Sequence, residues 1–583
     1  MILQSLYDYY QRKTADPESN MPLEGFEWKE IPFIIVINLN GEFITIEDTR
    51  EGEIKNRKSK KYLVPKGIKR SGRNFIANLL WDNIEYVLKL SPSNRNIADL
   101  QKQHDAFINE IKNKLPQENP YVKALLKFLL SEPIKQIELS KNDKDILLIE
   151  EIKNSKSNPN LTFNILETSD KYTTICDALK EDILPSNDSD QVNAICLVSG
   201  KRLPVERTHP SIKGVRGTLY NAALSSFNLP SFRSFGKKQN YNAPISKHAA
   251  FAYTTALNSL LEKESTQKIL IGDTTTIFWA ERPNFLENDF ALLFGLPRDN
   301  PDMGTEAIKA KYQSVHSGKL AEDGDIKFYV LGLSPNVTRI SVRFWYQGTV
   351  AGLWKKIRDY FYDIKIVRSQ YDKDDKGYDS LVYLLCNLVL EGKIDNIPPN
   401  LVGDVMRSIL NGSPLPIPLL HLAIRRIRAE QNITRPRAAI LKAVLNRTTR
   451  KTNNDKEITV SLDLTNNNPG YLLGRLFAVL EKIQKDAQPG IKATIRDRYY
   501  GAASSNPISV FPQLLKLKNH HLTKLDNPGL KINHEKRLTE IFAGISDIPS
   551  HLTMEDQARF AIGYYHQRQK FFEQKPQTDS SQA

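Results

Sequence analysis

Cysteine is scarce in this chain of 583 residues, which contains only Cys176, Cys196 and Cys386. Three cysteines cannot form a disulfide framework in a chain of this length, so a reducing, intracellular environment is expected. Long apolar runs are also missing, because no stretch approaches the roughly 18 residues that a membrane helix requires. The first residues carry neither the basic segment nor the cleavage site of a signal peptide. We therefore expect a cytoplasmic protein with no membrane partner.

Several catalytic and metal-binding patterns are absent or incomplete. The segment Gly67–Asn74 has the glycine spacing of a phosphate-binding loop but lacks its Lys-Ser/Thr pair. Residues 372–377 are typical of a calcium loop, yet Tyr383 occupies the position of the required Glu. Cys196 and His209 have no companions at zinc-ligand spacing, and neither GxSxG nor HExxH occurs. We expect no catalytic residue, no metal and no cofactor.

Positive charge is in excess and unevenly distributed. The formal net charge is +14, and the chain from residue 401 onward contains 27 Lys+Arg against 16 Asp+Glu. A second basic stretch, Ile54–Arg73, contains nine cations and no acid. Clustered cations release counterions from a phosphate backbone, which favours binding to a nucleic acid. The alternative is a lysine-rich loop that is merely solvated.

The hydrophobic pattern predicts a multidomain α+β protein. Apolar residues make up 40% and charged residues 25%, as in ordinary globular chains. Asn40-Gly41 separates two apolar runs and predicts a β-hairpin, and strands are expected at 146–152, 191–198, 269–279 and 328–346. After Pro398-Pro399, periodicity indicates helices as far as Phe572. We predict a mixed α/β N-terminal region at 1–395 (with a sub-boundary near 95–190), a basic α-helical bundle at 396–573 and a disordered tail at 574–583.

Motifs in the middle of the chain resemble a known family. They are Cys196-Leu197-Val198-Ser199-Gly200, His209-Pro210-Ser211-Ile212-Lys213-Gly214-Val215, Phe232 to Pro244, Ala252 to Asn258 and Gly272-Asp273-Thr274-Thr275. The opening Met1 to Tyr7 and the later Arg425 to Arg428 and Gly470 to Leu476 agree with the same family. Together they resemble the large subunit of the type I-C CRISPR surveillance complex (Cascade). A polar stretch near 450–468 departs from that pattern.

The resemblance implies a noncatalytic subunit of an RNA-guided antiviral complex. Such a subunit recognises the protospacer-adjacent motif (PAM) in double-stranded target DNA, promotes strand opening and R-loop formation, and stabilises the displaced strand. The implied partners are guide RNA, target DNA, the backbone and guide-end subunits, the small subunit and a helicase-nuclease recruited after target binding. The helical C-terminal part of this family resembles the small subunit, and Met406 is a candidate internal start for a separate product.

Three basic segments are the candidate DNA contacts, because guide pairing carries the sequence specificity and leaves the protein a short motif and phosphates to bind. The PAM-reading candidates are Lys66, Gly67, Lys69, Arg70, Ser71, Gly72, Arg73, Asn74 and Asn78. A second loop supplies Arg233, Ser234, Gly236, Lys237, Lys238, Gln239, Asn240 and Asn242, with Lys201, Arg202, Lys213 and Arg216 as possible extensions. Arg425, Arg426, Arg428, Arg435, Arg437, Lys442, Arg447 and Arg450 are the candidates for the displaced strand or the guide–target duplex.

Each assignment has a structural alternative. Phe75 to Trp81 would begin a buried helix, the second loop would be capped by Asn242-Ala243-Pro244, and the C-terminal cations would line a solvated helix face. Two other functions also stay open: a DNA-acting nuclease or nucleotide-dependent enzyme, and a scaffold without DNA contacts.

Overall fold

In the computed structural model the chain is described over residues 1–52, 57–68, 70, 75–91, 96–140, 142–154, 158–183, 192–218, 222–295, 324–336, 339–368, 379–452 and 456–573. The chain forms two compact units. The N-terminal unit comprises residues 10–208 and 229–255, and the C-terminal unit comprises residues 1–9, 209–228 and the chain from 256 onward. The predicted multidomain α+β class is confirmed.

The first part of the chain contains both strands and helices. In order they are α1 (Ile2–Thr14), β1 (Phe26–Glu30), β2 (Phe33–Ile37), β3 (Phe43–Asp48), β4 (Arg50–Glu51), β5 (Lys58–Ser59), β6 (Lys61–Pro65), β7 (Asp82–Asn83), α2 (Ile84–Leu88), α3 (Ile97–Lys114), α4 (Pro120–Leu130), α5 (Pro133–Leu139), α6 (Asp143–Asn154), β8 (Asn160–Ile165), α7 (Ile175–Ala178), β9 (Asn193–Ile195) and β10 (Arg202–Pro204). Short 3-10 turns follow at Pro230–Phe232 and Gln239–Asn242.

The second part is mainly helical. Its elements are α8 (Lys247–Leu260), β11 (Lys268–Ile271), β12 (Thr274–Ala280), α9 (Leu286–Phe294), β13 (Lys327–Asn336), β14 (Arg339–Thr349), α10 (Val350–Ile364), α11 (Leu381–Cys386), α12 (Pro399–Asn411), α13 (Ile417–Glu430), α14 (Arg435–Thr452), α15 (Pro469–Ala487), α16 (Ile495–Ala503), α17 (Pro507–Thr523), α18 (Pro528–Phe542) and α19 (Met554–Phe572). Among the described residues, none of these helices is both long enough and apolar enough to cross a bilayer.

A four-stranded sheet in the order β3-β2-β8-β7 lies at the centre of the N-terminal unit. β2 and β3 form the hairpin predicted around Asn40-Gly41, and Gly41 adopts a φ of 75°. β2 also pairs in parallel with β8, so that Ile35 lies between Ile46 and Phe163. All five residues of β2 are buried, which fits the continuous apolar run of a central strand.

Residues 146–152 belong to helix α6, so the strand predicted there is wrong. Ile149 and Ile152 are buried three residues apart, whereas Leu147 is 65% exposed, which is the spacing of one helical face. A short apolar run does not distinguish a strand from a helix. The buried carboxylate of Asp145 accepts a hydrogen bond of 2.9 Å from the Ile46 N–H and thereby holds α6 against β3.

The C-terminal unit contains an antiparallel sheet in the order β11-β12-β13-β14. The two strands predicted at 269–279 and 328–346 are therefore two hairpins, because β11 pairs antiparallel with β12 across Gly272 (φ 60°) and β13 pairs antiparallel with β14. Phe344 and Tyr346 are buried, and the Trp345 ring stacks on Tyr329 with centroids 5.7 Å apart. Phe344 and Tyr346 therefore belong to the core of the C-terminal unit, and Trp345 packs against Tyr329.

Helices α15 and α19 pack at unusually short range. A Cβ atom added to Gly474 would lie 2.0 Å from the Phe560 carbonyl oxygen, and one on Gly563 would lie 2.2 Å from that of Tyr471. Glycine is required at both crossings because no side chain fits there. A continuous apolar core runs from Ile269 in the sheet to Tyr565 in α19.

The composition change near residue 396 therefore lies inside one compact unit. A separate helical module at 396–573 stays a prediction, and the predicted tail at 574–583 lies outside the described residues.

Candidate nucleic-acid interface

Arg70, predicted to contact DNA, is held by its own protein. Its guanidinium pairs with the carboxylate of Asp82 and donates a hydrogen bond of 2.7 Å from Nε to the Ile76 carbonyl. The same guanidinium lies 4.1 Å from the centre of the Tyr86 ring. Burial raises the pKa of Asp82 although Arg70 opposes this shift. The Arg70 side chain is 30% exposed, so it reaches solvent while its guanidinium is bound to Asp82 and Ile76.

Asn78 has a similar internal role. The residue is 6% exposed, and its side-chain oxygen accepts a hydrogen bond of 2.9 Å from the Ile68 N–H. Its own N–H donates to Asp82 at 2.8 Å, while the Trp81 indole donates to the Pro65 carbonyl at 2.7 Å. Asn78 therefore links the backbone at Ile68 to the carboxylate of Asp82, and its side chain is buried.

Lys66 and Gly67 pack against neighbouring elements. The Lys66 ammonium lies 4.7 Å from the centre of the Phe251 ring. The Gly67 N–H donates to Glu27 at 3.0 Å, and a Cβ at this glycine would lie 3.0 Å from both Glu27 Oε1 and Trp81 Cζ2. Gly67 thus permits internal packing. The other PAM-reading candidates, Lys69, Ser71, Gly72, Arg73 and Asn74, lie outside the described residues.

The segment from Arg233 to Asn242 forms a tight loop tied together by the Asn242 side chain. The Asn242 oxygen accepts a hydrogen bond of 2.9 Å from the Ser234 N–H. Its amide nitrogen donates to the carbonyls of Lys237 at 3.1 Å and Gln239 at 2.8 Å. Three backbone positions around the loop are therefore fixed by one side chain. Asn242 serves the loop itself, whereas Ser234, like Gly236, lies exposed in it.

The loop directs its cations outward and part of its amides inward. Arg233, Lys237 and Lys238 are all exposed. Asn240 is 3% exposed, and its N–H donates to the Arg207 carbonyl at 3.3 Å. The side-chain oxygens of Gln239 and Asn240 are buried without a hydrogen-bond partner among the described residues. The charged side chains of the loop thus face solvent, whereas part of its amide side chains face the protein.

Backbone hydrogen bonds place the basic segment at residues 201–207 beside this loop. The Leu197 N–H donates to the Pro244 carbonyl and the Glu206 N–H to the Ile245 carbonyl, each at 2.9 Å. This pairing brings the exposed residues Lys201, Arg202 and Arg207 to the same part of the N-terminal unit. We define the basic loop surface as Lys201, Arg202, Arg207, Arg233, Lys237 and Lys238. Arg207 was missed from the sequence, because only the pairing of distant segments reveals it.

Lys213 and Arg216 belong to the C-terminal unit. The Lys213 N–H donates to Asn258 at 2.8 Å, and the Arg216 guanidinium lies 3.1 Å from the Asp395 carboxylate.

Most of the candidate cations on α14 are not exposed, because this helix is buried over most of its length. Arg447 Nε donates to the buried Asp363 carboxylate at 2.6 Å, and Arg450 pairs with the other oxygen of the same carboxylate. Lys442 donates to the Asp363 carbonyl at 3.0 Å. Burial lowers the pKa of Lys442 to about 8 in spite of Asp363. These side chains hold α14 to the end of α10.

The remaining C-terminal candidates divide into buried and exposed side chains. Arg435 forms a two-pronged ion pair with Asp379, and Arg437 donates to the carbonyls of Asn387 and Asn432, each at 3.0 Å. On α13, Arg426 pairs with Glu430, and the exposed Arg428 donates to Gln557 at 2.8 Å. Arg425 is exposed. Of the eight C-terminal candidates, all within the described residues, only Arg425, Arg428 and the partly exposed Arg450 present charge to solvent.

Cys196 and His209, which were considered as metal ligands, both have shifted pKa values. Burial favours the neutral Cys196 thiol, but hydrogen bonds from Ser199 and Ser246 outweigh it and lower the pKa of Cys196 to about 7. The residue is 1% exposed, so this thiol is enclosed. Burial lowers the pKa of His209 to about 4. Within the described ranges no group of three or more His, Cys, Asp or Glu residues is placed to hold a metal ion.

Comparison with known proteins tests the resemblance drawn from the motifs. No curated protein matches the chain. The family model described as CRISPR-associated protein (Cas_Csd1) matches residues 6–572, which is nearly the whole chain. The resemblance is thereby confirmed. The chain belongs to the CRISPR-associated protein family Cas_Csd1.

Proposed function

We propose that this chain is the noncatalytic large subunit of an RNA-guided type I-C CRISPR antiviral complex. It recognises the PAM in double-stranded DNA, promotes strand opening and R-loop formation, stabilises the displaced strand and recruits the helicase-nuclease. Guide RNA, the backbone and guide-end subunits and the small subunit are its partners in the complex. Family membership supports the CRISPR role, and the basic loop surface is the single observation that carries the DNA contact.

The basic loop surface has the properties that a phosphate contact needs. Its six cations are exposed, whereas five of the eight C-terminal candidates are committed to internal ion pairs or carbonyls. The Asn242 hydrogen bonds fix the loop before DNA arrives, so less conformational entropy is lost on binding. Phosphate contacts of this kind set register and affinity, while guide pairing reads the sequence.

The PAM-reading role belongs to the segment that follows Lys66. Arg70 and Asn78 act as positioning residues in this proposal, because their described contacts are internal. Lys69, Ser71, Gly72, Arg73 and Asn74 supply the contacts to phosphates and base edges. The informative variants are therefore Lys69→Ala and Asn74→Ala in the assembled complex. A loss of affinity for a target with the PAM, with unchanged affinity for one without it, is the expected result.

The test of the basic loop surface compares two triple variants of the assembled complex. The first carries Arg233→Ala, Lys237→Ala and Lys238→Ala, and the control carries Lys114→Ala, Lys123→Ala and Lys144→Ala, which are exposed on helices of the same unit. Target affinity is measured against salt concentration. Each lost phosphate contact makes the negative slope of log K against log salt shallower by about 0.9, so the slope of the first variant becomes shallower by up to about 2.7.

The control should leave the slope unchanged, although it removes the same number of charges. Equal slopes for the two triple variants would show that only net charge matters, and the assignment of this surface would be rejected.

A further inference from the structure

Phe235 is the most exposed large apolar side chain among the described residues. It is 97% exposed at the tip of the loop between Arg233 and Asn242. A large aromatic ring in water forgoes the favourable burial that usually places phenylalanine inside a protein. The ring lies in the loop that also presents Arg233, Lys237 and Lys238 to solvent. The exposure of Phe235 is therefore a property of an ordered loop that Asn242 holds together.

The backbone holds this ring in a conformation that phenylalanine rarely adopts. Phe235 has a φ of 51°, and Gly236 follows with a φ of 69°. A bulky residue at positive φ is an outlier that the surrounding contacts must impose. Those contacts include the backbone hydrogen bond of 3.0 Å from the Lys237 N–H to the Ser234 carbonyl. The Asn242 side chain adds hydrogen bonds to Ser234 on one side of the ring and to Lys237 on the other. A Cβ at Gly236 would meet nothing within 4 Å, so the space beside the ring is open.

The surroundings of the ring select its ligand. The basic loop surface attracts a polyanion, and a flat aromatic face binds another flat, apolar face. Nucleic acids combine phosphates with the flat faces of bases, and aromatic residues in basic grooves stack on bases regardless of sequence. In an intact double helix both faces of each internal base are covered by its neighbours. A ring at a loop tip therefore gains a stacking surface only where a base has left the stack.

We propose that Phe235 stacks on an unpaired base of target DNA, while the cations beside it bind the adjacent phosphates. This inference rests on the proposed function and names the residue that captures the opened strand. Loss of the ring removes the stacking contribution, which corresponds to about 5- to 150-fold in affinity. Phosphate contacts made before opening are retained. Phe235→Ala is thus expected to impair strand opening more than initial docking.

The experiment uses the assembled complex and target DNA with 2-aminopurine beside the PAM, whose fluorescence rises when the base unstacks. Phe235→Ala, Phe235→Leu and Phe235→Trp are compared with Leu139→Ala, which removes another exposed apolar side chain (76%) of the same unit. Affinity is measured for a fully paired target and for one with an unpaired bubble beside the PAM. Phe235→Ala and Phe235→Leu should weaken binding of the bubble target by about 5- to 150-fold, and Phe235→Trp should restore it.

The other outcomes overturn the inference in distinguishable ways. If Phe235→Ala binds both targets and opens DNA normally while the Arg233/Lys237/Lys238 variant loses affinity, stacking is rejected and the proposed function stands. If neither variant changes binding, both fail. Equal rescue by Phe235→Leu would indicate an apolar wedge instead of stacking, and impaired complex assembly with Phe235→Ala would assign the ring to a protein partner.

Discussion

Replacement of Asn242 by Ala should release the basic loop while leaving its cations in place. The change removes three hydrogen bonds, to Ser234, Lys237 and Gln239. A hydrogen bond contributes about 0.5–1.5 kcal/mol net, and the lower value applies because the loop is largely exposed. The three together give about 1.5 kcal/mol, or roughly a tenfold increase in the local opening constant. Global stability should change little, because loop opening is local.

Amide hydrogen exchange measures this opening directly. The Ser234 N–H donates to the Asn242 side chain, so its exchange should accelerate about tenfold in Asn242→Ala. Asn242→Asp is the matched control, because it keeps this acceptor and loses only the two donors to Lys237 and Gln239. Its Ser234 amide should remain better protected than in Asn242→Ala. Identical exchange in the wild type and Asn242→Ala would refute the claim that this side chain organises the loop.

Three further predictions concern the C-terminal unit. Asp363→Ala removes the anion that pairs with the buried Arg447, so it should lower the free energy of unfolding by about 3–5 kcal/mol. Arg450→Ala, at a side chain 39% exposed, should lower this free energy far less in the same urea titration. Gly474→Ala should destabilise by about 1–3 kcal/mol by separating α15 from α19, and Gly501→Ala, where a Cβ meets nothing, should be neutral or stabilising by up to about 1 kcal/mol. Burial lowers the pKa of His566 to about 3. As the pH falls from 6.5 toward 3, His566 becomes protonated in the unfolded state but stays neutral in the folded state, which lowers the free energy of unfolding. This free energy should therefore fall less steeply with pH in His566→Gln than in the wild type. Parallel pH profiles of the two proteins would exclude His566 as a cause.

Local patterns in the sequence predict much of the fold. The hairpin around Asn40-Gly41 follows from turn chemistry, and Thr553 caps α19 through a hydrogen bond of 3.1 Å from the Asp556 N–H. Both depend on neighbours in the chain. Helix α6 was missed because an apolar run of that length fits either period, and only its packing against β3 decides.

The candidate site was harder to predict, because a cation count does not show where a side chain points. Arg447 and Lys442 lie in a basic segment, yet both are buried. Arg447 binds the carboxylate of Asp363 and Lys442 binds its carbonyl, about 80 residues earlier in the chain. Conversely, the contribution of Arg207 depends on a backbone hydrogen bond to Asn240, which no local pattern encodes. Long-range pairing of polar groups accounts for both outcomes.

The central claim is that the basic loop surface touches target DNA in the assembled complex. Site-specific photo-crosslinking tests it most directly, with benzoylphenylalanine placed at Lys238 and, as a control, at Leu139 of the same unit. The account predicts crosslinks from position 238 to target DNA beside the PAM and none to DNA from position 139. Crosslinks from position 238 to protein subunits alone, with target DNA bound, would contradict it.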